Sequence, residues 1–125
     1  MINEFALKDA FAQHCGVELI EAGEGTAKAK LVLKDYHHNG MGITHGAALF
    51  TLADFTFGAA ANSHGYDAVT INVHMSFLKS TKEGTLYGEA TETNLRGRIG
   101  SYHVTITDEA GQIIAIFEGL AYRKF

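Results

Sequence analysis

Apolar and polar positions follow several rhythms along the chain, and each rhythm predicts an element. Residues 3–14 carry Phe5, Leu7, Ala10, Phe11 and His14 at roughly helical spacing, and Gly16 ends that run. Val17–Ala22 and Thr26–Leu33 read as a hairpin around Gly23-Glu24-Gly25. In the second arm Ala27, Ala29, Leu31 and Leu33 point one way, whereas Lys28, Lys30 and Lys34 point the other, which suits a strand with one wet face. Asp35–Thr44, with two glycines and an asparagine, reads as a loop. The stretch 46–62, GAALFTLADFTFGAAAN, is apolar on every side. A run of more than about ten residues favours a helix over a strand, and such a helix must be buried on all sides, with Phe50, Phe55 and Phe57 in the core. Asn62-Ser63-His64-Gly65 supplies its stop. Further on, Val69, Ile71, Val73, Met75 and Phe77 alternate with Thr70, Asn72, His74 and Ser76. Residues 85–94, 98–107 and 112–122 continue as strands, with a turn at Asp108-Glu109-Ala110-Gly111 between the last two. This order predicts an α+β fold in which a long antiparallel sheet curls around one buried helix.

Two features of the central segment carry chemistry. The loop ends in Thr44-His45-Gly46 where the helix begins. Free N–H groups in a helix's first turn, with the positive end of its dipole, attract negative charge. Gly46 has no side chain to keep a substrate oxygen from its N–H, which is what an oxyanion hole needs. The same residues also suit an ordinary helix start capped by Thr44. The second feature is Asp54, the only charged residue of the apolar helix. A carboxylate there either lines a cavity or is held by backbone hydrogen bonds. Gly46 and Asp54 are eight positions apart, hence about 12 Å along the axis and roughly 80° apart around it. If both act in one site, a second subunit must lay its helix antiparallel alongside, and dyad symmetry then makes two composite sites.

Composition narrows the field. A length of 125 residues with 46% hydrophobic and 19% charged residues is that of one domain, residues 1–125, with ample core. A formal charge of −4 argues against a nucleic-acid partner. Cys15 is the only cysteine, so no internal disulfide forms, and it has no evident base partner to make it a nucleophile. The opening MINEFALKDAF reads as neither a secretory signal nor a membrane span, which predicts a cytoplasmic protein. His37, His38 and His45 are not at a standard ligand spacing, so no metal is expected.

The run His37-His38-Asn39-Gly40-Met41-Gly42-Ile43-Thr44-His45-Gly46, followed by Leu52-Ala53-Asp54, resembles the signature HxNxxGxxHGG plus helix Asp of the phenylacetate-degradation (PaaI-like) hotdog thioesterases. Two positions depart from it: Gly40 stands where proline is frequent, and Ala47 replaces the last glycine. The resemblance implies a hotdog fold and hydrolysis of an aromatic (phenylacetyl or hydroxyaryl) or medium-chain acyl-CoA, with no cofactor beyond the CoA of the substrate. It implies that the Gly46 N–H polarises the thioester carbonyl, His45 assists, and Asn39 orients water or substrate. Asp54 of a partner chain is then nucleophile or general base, and Thr70 aligns the water. Lys79, Lys82, Arg96 and Arg98 are the candidates for the CoA phosphates. The assembly implied is a dimer or a dimer of dimers. Two other readings stay open: a hotdog hydratase or dehydratase, and a non-catalytic acyl-CoA binder.

Overall fold

The computed structural model describes residues 4–125, so residue 3 of the expected opening helix lies outside the described residues. That opening segment is two short helices, α1 (Glu4–Lys8) and α2 (Ala10–Cys15). The break is at Asp9, whose backbone leaves the helical region (φ −78°, ψ 86°) while its side chain accepts the Ala12 N–H at 3.0 Å. Aspartate competes for the backbone in this way, so an internal Asp starts a new helix. Gly16, at φ 94°, stops α2 in the left-handed region.

Strands β1 (Val17–Gly23) and β2 (Thr26–Val32) form the expected hairpin. Its two turn residues, Glu24 and Gly25, have φ of 51° and 82°, the paired positive angles that a tight two-residue hairpin turn requires. Ala27, Ala29 and Leu31 are buried. After a short 3₁₀ turn at Asp35–His37 and a loop comes α3 (Gly46–Ala61). Strands β3 (Asp67–Phe77), β4 (Thr85–Arg96), β5 (Ile99–Thr107) and β6 (Ile113–Lys124) follow. All six strands join one antiparallel sheet in the order β1-β2-β4-β5-β6-β3. The sheet curls around α3, which is the α+β hotdog arrangement. None of the described helices is long and apolar enough to cross a membrane.

The core lies between α3 and the concave face of the sheet. Leu52, Ala53, Phe55, Thr56, Phe57, Ala59 and Ala60 of α3 are buried. Two strand glycines let the helix approach closely. A Cβ at Gly88 would meet Thr56 Oγ1 at 2.7 Å, and one at Gly119 would meet Phe57 Cζ at 2.9 Å.

Two expectations need correction. The first is that α3 is buried on all sides. Gly46, Ala47, Phe50, Thr51, Asp54 and Gly58, spaced three and four apart, form a stripe that the chain's own sheet leaves open. Phe50 is thus not a core residue; it is 36% exposed. One curved sheet covers only part of a cylinder, and the apolar stripe is what is left over. The second is the unbroken alternation along β3. Register with β6 slips between Thr70 and Asn72, leaving Ile71 unpaired. Thr70 is paired with buried Ala121 and so faces the helix, as do Val73 and Met75, whereas Val69 pairs with Tyr122 and faces out.

Candidate active site

The loop before α3 is held from several directions. His37 is buried, its Nδ1 accepting the Lys34 N–H at 2.9 Å and its Nε2 donating to the Cys15 carbonyl at 2.6 Å. His38 Nε2 donates to the Lys82 carbonyl at 2.7 Å. Thr44 sends both its N–H (2.8 Å) and its Oγ1 (3.0 Å) to the Thr81 carbonyl. Gly42 turns the chain at φ 74°. The His38 and Thr44 bonds tie the loop to the β3–β4 connection, and the His37 bond ties it to the end of α2.

Thr44 is therefore not the helix cap. His45 is: its Nδ1 accepts the Ala47 N–H at 2.9 Å. That bond fixes the proton on Nε2, which leaves the exposed ring edge as a donor. With the Ala47 N–H taken by His45, the Gly46 N–H has no partner among the described residues. The result is a pair of adjacent donors, a backbone N–H and an imidazole N–H, at the positive end of α3. An oxygen that gains negative charge is the natural acceptor there.

Asp54 lies on the open stripe of α3, and its carboxylate has no hydrogen-bond partner among the described residues. It lines two cavities. One, of about 240 Å³, it shares with Phe57, Gly58, Thr70 and Ala121; the other, of about 280 Å³, with Asp9, Phe50 and Thr51. Burial pushes its carboxyl above the usual carboxylate range, and the like charge of Asp9 adds to the push. A carboxylate without partners and with raised basicity, facing a cavity, is suited to take a proton from water. The β3 bulge brings Thr70 into the same cavity.

Asn39 spends its Oδ1 inside the loop, on the N–H groups of Met41 (2.9 Å) and Ile43 (3.4 Å). Its free group is the Nδ2 donor, so it can hold an oxygen but not accept a proton. The four candidate cations do not form one cluster. Lys79 and Lys82 lie in the β3–β4 connection near Gly46, with Lys79 Nζ bonded to Gln112 Oε1. Arg96 and Arg98 are at the other end of the 12-residue β4, roughly 35 Å away at the usual strand rise. Arg98 is 4.9 Å and Arg123 4.6 Å from the centre of the Phe125 ring. Sequence reasoning missed two neighbours: Arg123, which shares the Phe125 ring with Arg98, and Asp9, which lines a cavity with Asp54. Asp9 had left one signal, a charged capping residue interrupting a helical pattern.

Comparison with known proteins gives the family. The sequence profile of the thioesterase superfamily matches residues 41–115, from the end of the loop through α3 and β3–β5 to the start of β6. A putative esterase of Archaeoglobus fulgidus is 38% identical over 106 residues, 84% of this chain and 69% of that one. The chain belongs to the thioesterase superfamily. Within that superfamily it is PaaI-like. The acyl-coenzyme A thioesterase PaaI of Escherichia coli is 30% identical over 116 residues, covering 92% of this chain and 83% of its own. Its solved structure superposes with a TM-score of 0.91 at 28% identity, over 100% of this chain and 97% of that one. A Streptococcus mutans protein solved with acetyl CoA bound has a TM-score of 0.83 at 25% identity, over 87% of this chain and 91% of that chain. As a thioesterase this protein is a thioester hydrolase. That membership favours hydrolysis over the hydratase and pure-binder readings.

Proposed function

We propose that this thioesterase hydrolyses an acyl-CoA to the free acid and CoA in composite sites, each shared by two subunits. The observation that carries the reading is the open stripe of α3. It holds an unbonded N–H at Gly46 and an unpartnered carboxylate at Asp54, about 12 Å apart along the axis, with exposed Phe50 midway between. A two-fold axis at Phe50 relating antiparallel α3 helices brings Gly46 of each chain opposite Asp54 of the other. Gly46, Ala47 and Thr51 are small enough for the helices to pack closely.

In such a site the thioester carbonyl oxygen accepts the Gly46 N–H, with the His45 Nε2–H beside it. Asp54 of the facing chain takes a proton from water as the water attacks the carbonyl carbon, with Thr70 holding that water. Asn39, through Nδ2, holds a substrate or water oxygen. The tetrahedral intermediate collapses with loss of CoA thiolate, a good leaving group, and Asp54 releases its proton to the thiolate or to solvent, so no strong acid and no cofactor are needed. The antiparallel arrangement also carries the Arg96–Arg98 end of one chain toward the Lys79–Lys82 end of the other, which would assemble the four cations around the CoA phosphates. An aromatic acyl group, phenylacetyl or hydroxyaryl, or a medium-length chain suits the cavity beside Asp54, which is walled by Phe57, Gly58 and Ala121. The resemblance to PaaI, from the phenylacetic acid degradation operon, points the same way. We place the protein in the cytoplasm, and a dimer of dimers would keep every composite site intact.

Subunit complementation tests this. Asp54→Asn and Gly46→Pro each remove one half of the site, so each homodimer should be nearly inactive. Co-expressed chains pair at random, which gives half heterodimers with one intact site of two, or about a quarter of wild-type thiol release. No recovery in verified heterodimers would place both groups in one chain and end the composite-site reading.

A further inference from the structure

We infer that the Phe5 ring is the end wall of the acyl pocket and sets the length of acyl group accepted, an inference that rests on the proposed reaction. Phe5 belongs to α1, which no motif connects with catalysis, yet its ring lies directly on α3. A Cβ built at Gly58 would be 2.5 Å from Phe5 Cζ and 2.7 Å from Cε2. Glycine inside a helix weakens it relative to alanine, and here the ring occupies the space a methyl would need. Gly58 is one turn beyond Asp54 on the open stripe, about 6 Å along the axis.

An acyl group whose carbonyl is held by Gly46 of the facing chain has two ways past Asp54. The cavity containing Phe50 and Thr51 also holds the Asp9 carboxylate, a poor neighbour for buried methylenes. The cavity of about 240 Å³ has apolar walls apart from Asp54 and Thr70, and Phe5 is one of those walls. Phe5 also lines a larger groove of about 770 Å³ that continues past Asn62 and Tyr66. The ring is thus the partition between a small pocket at the catalytic carboxylate and a larger space behind it. Because α1 is only five residues long and ends at the Asp9 break, the partition is a single side chain on a separate short helix.

The test is the ratio of kcat/KM across straight-chain acyl-CoAs of increasing length and a matched aryl series, for wild type, Phe5→Ala, Phe5→Leu and Phe5→Trp. Each methylene buried contributes about 0.8 kcal/mol, or roughly fourfold in kcat/KM. Wild type should stop gaining at the length that reaches the ring. In Phe5→Ala a chain two methylenes longer should gain about 15-fold relative to the wild-type optimum. Phe5→Leu should shift less, and Phe5→Trp should shift the optimum to shorter chains. A purely structural role would lower all substrates together. Folded variants that keep the wild-type rank order, by either the enlarging or the shrinking change, overturn the inference. A wild-type protein that releases no thiol from any acyl-CoA defeats instead the reading on which it rests.

Discussion

Replacing Gly46 by proline removes one hydrogen and little else. Proline is accepted at the first position of a helix because the N–H there has no intrahelical acceptor, and Gly46 is that position. Its ring requires an extended residue before it, and His45 already has φ −66° and ψ 137°. A Cβ at residue 46 meets the Phe77 ring at 3.5 Å, which is ordinary contact. The fold should therefore persist, with a change in Tm of no more than a few degrees. Catalysis should suffer in proportion to the lost donor. Deleting one oxyanion-hole hydrogen bond costs on the order of 10²–10³ in kcat, or about 2.7–4 kcal/mol of transition-state stabilisation. Gly46→Ala is the matched control, since it keeps the N–H and adds the same Cβ, so it should stay within about fivefold of wild type, a difference of roughly 1 kcal/mol. The assay is release of free thiol from acyl-CoA under saturating substrate, with circular dichroism and a thermal melt on each variant. Two results would refute the reasoning. A folded Gly46→Pro enzyme with near wild-type kcat means that the N–H does not hold the carbonyl. A Gly46→Ala enzyme as damaged as the proline variant means that the space, not the hydrogen, matters.

Other outcomes follow from the same geometry. Asp54→Asn keeps the shape and removes the base, so kcat should fall at least about 100-fold with the oligomer unchanged by sizing chromatography; retained turnover would end the role assigned to this carboxylate. In the proposed reaction the base is ionised Asp54, so kcat/KM should fall as pH drops through its pKa, which burial and then Asp9 hold above the usual value. Asp9→Asn preserves a helix-capping side chain while deleting the like charge. The acid limb of the kcat/KM profile should then move to lower pH, and an unmoved or raised limb contradicts the coupling.

Much of this molecule can be read along the chain because its signals are local. The hairpin turn at Glu24-Gly25, the alternation Ala27, Ala29, Leu31 and the long apolar run of α3 each declare an element within a few residues. The spacing of His45, Gly46 and Asp54 is local too, since a helix converts sequence separation into distance directly. Even the proposal of a second chain rests on that conversion, given that both groups act in one site.

What stayed hidden depends on which surfaces meet. Apart from Asp54 and Thr51, nothing local distinguishes the covered sides of α3 from the open stripe, because the rest of the helix is apolar nearly all round; the reach of the curved sheet decides it. The alternation along β3 put Thr70 on the face opposite Val73 and Met75, and one unpaired residue against β6 brought it to their side, toward the helix. A single bulge reverses parity for everything on one side of it. The cap passed from Thr44 to His45 because Thr81, far along the chain, claims Thr44. Asp9 raises the basicity of Asp54, and Phe5 reaches Gly58, only because α1 and α2 pack beside α3. The elements and the spacing of the chemical groups are written in the residue order, since both follow from the geometry of a single helix or strand. Which donor stays free, which carboxylate lacks a partner and which side chain lies against Gly58 depend on contacts between residues remote in the chain, and those exist only once the helices pack on the sheet.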